Sequence, residues 1–123
     1  LYRGGSDTAK LIEAKAAKRE ANRTLQQQKN QLSGEIRQSY ASLLLAQKQL
    51  LLQRSTTDLV TQTRDLVKEG YNAGQESLVR LNEAQRDLVE TQSNLALSLV
   101  SLYRFRYNLK TVTGESLLPY YPE

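Results

Sequence analysis

Apolar residues in this chain fall into heptad rows. Leu81, Leu88, Leu95, Leu102 and Leu109 recur every seven residues, and three places after each stand Ala84, Thr91, Ser98, Phe105 and Val112. A leucine row beside a mostly small row predicts an a/d-type seam with close helix approach. Nearer the N-terminus, Leu45, Leu52, Leu59 and Leu66 form one heptad row, and Ile36, Leu43 and Leu50 form a second on a different part of the helix surface. A well-buried leucine contributes roughly 1.5–3 kcal/mol, so an unpaired row is a large exposed liability. Two rows on one helix therefore imply neighbours on two sides, and such a helix belongs in an array rather than in a lone dimer.

The stretch from Ser6 to about Glu69 consists of good helix formers, and the first proline is Pro119. Ser6 is the expected N-cap, with Asp7 opposing the positive end of the helix dipole. The one strong break between the two patterned segments is Tyr71–Ser77. The expected fold is all-α: a long antiparallel helical hairpin with a coiled-coil seam and unequal arms. Its expected parts are a strand end or linker at 1–5, a long helix at 6–70, a tip turn at 71–76, a returning helix at 77–112 and an extended tail at 113–123. The shorter arm reaches back only to about Ser33-Gly34, which leaves residues 6–32 without a partner in the chain. Gly34 costs about 1 kcal/mol relative to alanine inside a helix. It marks either a tolerated position or a real break, and a break gives the competing fold, a compact three-helix bundle bent at Gly34 and Gly74.

At the turn, Gly70 is the expected left-handed residue closing the first helix. Asn72 with Gln75 resembles a capping box for the second helix, with Ser77 as the alternative cap. Gly74 is expected to let another backbone approach closely. Arg54 and Asp58, Glu76 and Arg80, and Arg86 and Glu90 are spaced as i,i+4 ion pairs. Gly114 is the natural stop of the second helix.

Composition narrows the chemistry. The 123 residues include no Cys, His, Met or Trp, so thiolate and imidazole chemistry is absent and no enzyme activity, cofactor or metal is expected. Glu83, Asp87 and Glu90 share one helix side, but no second acidic cluster joins them, and they read as solvated charges. The net charge is +4. The basic residues between Lys10 and Arg37 are interrupted by Glu13, Glu20 and Glu35, which favours a solvated face over a nucleic-acid surface. No run approaches the ~18–20 apolar residues of a membrane-spanning helix. The abrupt start at Leu1 reads as a piece of something longer.

The segment Gly70-Tyr71-Asn72-Ala73-Gly74-Gln75-Glu76-Ser77-Leu78, followed by Leu81, Ala84-Gln85, Leu88 and Leu95, resembles the tip and returning helix of the TolC-like outer membrane efflux proteins. Leu1-Tyr2-Arg3-Gly4-Gly5 with Ala14-Lys15-Ala16 resembles that family's passage from a barrel strand into its longest helix. Glu35-Ile36-Arg37-Gln38-Ser39-Tyr40-Ala41 resembles a mid-helix segment, and Leu109 through Gly114 resembles the exit from the returning helix.

The resemblance implies the second-repeat periplasmic hairpin of a homotrimeric outer-membrane channel. Tyr71, Asn72, Ala73, Gly74, Gln75, Glu76 and Ser77 would dock a membrane-fusion adaptor, which links in turn to an inner-membrane exporter for efflux or type I secretion. It also places Arg80 and Glu83 at the lumen entrance. Some members carry acids at both of those positions; Glu83 fits and Arg80 departs, which leaves a partly charge-compensated mouth. From the residues alone, a generic coiled-coil interaction module, such as an adaptor hairpin or a scaffold, stands as the alternative.

Overall fold

A computed structural model describes residues 4–114. It holds two helices, α1 (Gly4–Asn72) and α2 (Leu78–Thr113), and no strand among the described residues. α1 starts at Gly4, so Ser6 lies inside the helix instead of capping it, and the Thr8 hydroxyl donates to the Gly4 carbonyl at 2.7 Å. Residues 1–3 and the expected extended tail from Glu115 onward lie outside the described residues.

The chain divides into two units, one ending at Arg37 and one starting at Gln38. In the first unit every residue from Gly4 to Glu35 is exposed, including Leu11, Ile12, Leu25 and Leu32. The helix continues through Gly34 without a break, so a bundle bent at that glycine is not formed. A Cβ at Gly34 would meet no atom within 4 Å. No close contact among the described residues explains the glycine.

The second unit is a hairpin whose two helices pack against each other. The antiparallel register shows at two levels. Arg64 reaches Gln85 near the turn, and farther away Ala46 and Gln49 line one hollow with Ser98 and Phe105. On α2 every member of the expected pair of rows, from Leu81 and Ala84 to Leu109 and Val112, is buried or half-buried. Nearly all other α2 positions are exposed. The leucine–small pattern therefore identified the inner face of α2 residue by residue.

On α1 the inner face uses the second leucine row. Leu43 is half-buried and Leu50 buried, and the row continues through buried Thr57 to half-buried Arg64; Ser39, Ala46, Gln53, Val60 and Val67 run beside it. The other row is left outside. Leu45, Leu52, Leu59 and Leu66 are 64–68% exposed, and Thr56 and Thr63 between them turn their hydroxyls onto the Leu52 and Leu59 carbonyls.

Polar residues enter the seam at little cost because their hydroxyls are satisfied within their own helix. Thr57 donates to the Gln53 carbonyl at 2.7 Å, and Ser98 donates to the Leu95 carbonyl at 2.8 Å. Among the described residues no buried side-chain nitrogen or oxygen lacks a partner. α2 ends as expected at Gly114, which has φ 75° and donates its N–H to the last turn. Of the i,i+4 pairs expected from spacing, none is in ion-pair contact; the pairs found among the described residues are Arg64–Asp65 and Arg80–Glu83. At exposed helix positions side-chain entropy and solvent screening offset most of the attraction.

Two outcomes follow from these packing differences. Leu50→Ala should destabilise the chain by about 2–4 kcal/mol in urea unfolding, whereas Leu52→Ala should change it by less than about 0.5 kcal/mol. Gly34→Ala should stabilise the helix by up to about 1 kcal/mol, read as increased helicity and a raised midpoint by circular dichroism; a lowered midpoint would show that the glycine is needed where it stands.

Candidate functional site: the hairpin tip

The chain reverses between Asn72 and Leu78, and backbone bonds define how. The Gln75 N–H donates to the Gly70 carbonyl at 2.8 Å, and the Gly74 N–H donates to the Tyr71 carbonyl at 3.0 Å. These are the two bonds of a Schellman motif, with Gly74 as its left-handed residue at φ 76°. The Glu76 N–H also donates to Gly70, at 3.1 Å, and the Ala73 N–H reaches Glu69 at 3.0 Å. The carbonyls ending α1 thus find partners inside a turn of few residues.

This corrects the expected role of Gly70. It lies within α1, and the left-handed conformation belongs to Gly74. What Gly70 provides is room: a Cβ there would stand 2.7 Å from Cγ of Glu76, whose side chain passes over it. No atom lies within 4 Å of a Cβ on Gly74, so that glycine answers a backbone requirement rather than a close approach within the chain.

The cap of α2 is Ser77, with extended backbone at φ −82° and ψ 156°; its hydroxyl accepts from the Arg80 N–H at 3.1 Å. Asn72 is the last residue of α1, so the capping box suggested by Asn72 and Gln75 does not form. One motif ends α1 and a side-chain cap starts α2, which leaves the turn preorganised.

All of the expected tip residues from Tyr71 to Ser77 are exposed, as are Arg80 and Glu83. The structure brings the last two together, with Nη1 of Arg80 3.6 Å from Oε2 of Glu83 one turn on. This exposed pair is worth at most about 1 kcal/mol, but it places opposite charges side by side. Beside the expected tip residues, Leu78 and Val79 are 53% and 67% exposed in the first turn of α2, off the heptad seam. Near the tip, Nη1 of Arg64 donates to Oε1 of Gln85 at 3.4 Å, while its Nε contacts Asp65 at 2.8 Å. Arg64 thus links the helices where leucine no longer fills the α1 seam.

The hairpin thus combines a hydrogen-bonded, exposed tip with an apolar flank that the described residues leave uncovered. Among the described residues no helix is long and apolar enough to cross a membrane. The sequence profile of a family described as Outer membrane efflux protein matches residues 1–115. This chain belongs to that family, a channel and transport family. No curated protein and no solved structure matched it.

The turn geometry makes a directional prediction. Gly74→Ala should cost about 1–2 kcal/mol, because it forces a side chain into left-handed backbone, whereas Gly74→Asn should cost less. Ser77→Ala should cost about 1 kcal/mol through loss of the cap. Urea unfolding of the three variants checks all of these values.

Proposed function

We propose that this chain is the second-repeat periplasmic helical hairpin of a trimeric, TolC-like outer-membrane channel. Its tip docks a membrane-fusion adaptor, and its helices line the exit duct for efflux or type I secretion. The observation that carries this reading is the uncovered row Leu45, Leu52, Leu59 and Leu66 in a member of the outer membrane efflux family. Covering each leucine would contribute roughly 1–2 kcal/mol, and helices of the same channel are the natural cover.

In this reading Tyr71–Ser77 face the adaptor, and Arg80 with Glu83 lies at the lumen entrance. Because Arg80 and Glu83 pair within one chain, the three copies would form an alternating ring rather than a wholly acidic one. The inner-membrane exporter is reached only through the adaptor. A generic coiled-coil module has less support, since it requires no relation to a channel family.

The test is made in the full-length channel. Leu52→Asp combined with Leu59→Asp should abolish the trimer in native electrophoresis and cut efflux at least about tenfold, because charges at a buried helix interface lack compensation. A double variant that assembles and exports normally would remove the tunnel reading.

A further inference from the structure

The tip carries apolar surface where a free helix end would carry polar residues. Leu78 and Val79 occupy the first two positions of α2, between the Ser77 cap and Arg80, and both are more than half exposed. Neither belongs to the hairpin seam. The backbone beneath them is held by the Schellman bonds and by the Ser77 cap. Apolar side chains on a preordered platform lose little conformational freedom on binding and match the usual character of interface anchors.

The charges around them are lopsided. Residues 58–90 carry seven acidic and four basic side chains, whereas residues 38–57 and 91–114 carry five basic and no acidic ones. At the tip itself Glu69 and Glu76 outnumber Lys68; all three are exposed and in no ion pair among the described residues, while Arg80 is paired with Glu83. The turn-proximal part of the hairpin therefore attracts a cationic surface.

We propose that Leu78 and Val79 are the anchors of tip docking, seated in an apolar socket of a protein partner whose rim is cationic. This rests on the docking reading above and assigns the binding contacts to residues outside Tyr71–Ser77. The turn residues then serve chiefly to present the two anchors.

The experiment uses the full-length channel and its purified cognate membrane-fusion adaptor. Leu78→Ser combined with Val79→Ser should weaken adaptor binding on the order of tenfold, with the trimer retained, because first-turn helix positions accept serine. Gln92→Ala, at an exposed position of α2 away from the tip, should weaken it by no more than about twofold. Raising the salt concentration should weaken wild-type binding. If the double variant loses its trimer, Val79→Ser alone provides the comparison.

Equal affinity of wild type and anchor variant overturns the anchors while leaving docking intact. Salt-independent binding overturns the cationic rim. Adaptor binding by neither protein removes the docking reading and the anchors together. Photocrosslinking from position 79 supports the proposal if it yields adaptor adducts, and overturns it if it yields only adducts with another channel subunit, which would mean that Val79 packs sideways.

Discussion

Two helices can cover only one stripe of each other, and this geometric limit governs the whole hairpin. α1 carries two leucine rows, and its single partner α2 occupies the row through Leu43 and Leu50. The row through Leu45, Leu52, Leu59 and Leu66 remains in solvent. The buried apolar set is correspondingly small: Ala46, Leu50, Val67, Ala84 and Leu88. Helices take most of their stability from tertiary packing, and so thin a core supplies little of it among the described residues.

The seam is economical in a second way. Thr57, Ser98 and the neighbouring half-buried Thr61 and Thr91 satisfy their hydroxyls on their own backbones. The helices can therefore approach over small residues without needing polar contacts across the interface. Arg64 departs from this pattern by extending to Gln85. Close to the turn, the hairpin exchanges leucine packing for a polar link, and the turn's own backbone bonds take over the task of holding the two arms.

The tip combines rigidity with exposure. Gly74 is the residue on which the reversal depends, because it alone in the turn has positive φ. Around it the hydrogen bonds are closed and the side chains are free. Preorganisation of this kind suits a contact surface: little ordering entropy is lost when a partner arrives. In the proposed reading the flank assembles and the end docks, as a part of a channel in the outer membrane efflux family would.

Much of the architecture was legible in the amino-acid order. The heptad of Leu81, Leu88, Leu95, Leu102 and Leu109 with its companion row specified the inner face of α2, because α2 carries a single a/d-type seam. The reversal near Gly74 and the stop at Gly114 were equally readable, since glycine at a helix end has few other uses. Which α1 row faces inward was not readable: both are leucine heptads, and the choice depends on the azimuth at which the turn returns α2. The exchange of roles between Gly70 and Gly74 and the pairing of Arg80 with Glu83 instead of Glu76 turned on where the helices end, since Gly70 lies inside α1 and Glu76 precedes the Ser77 cap of α2. Sequence by itself determined two patterned helices and one reversal, because those depend on local periodicity and backbone preference. Tertiary structure alone decided which leucines are hidden and which stay exposed, because that depends on how the two helices meet in space.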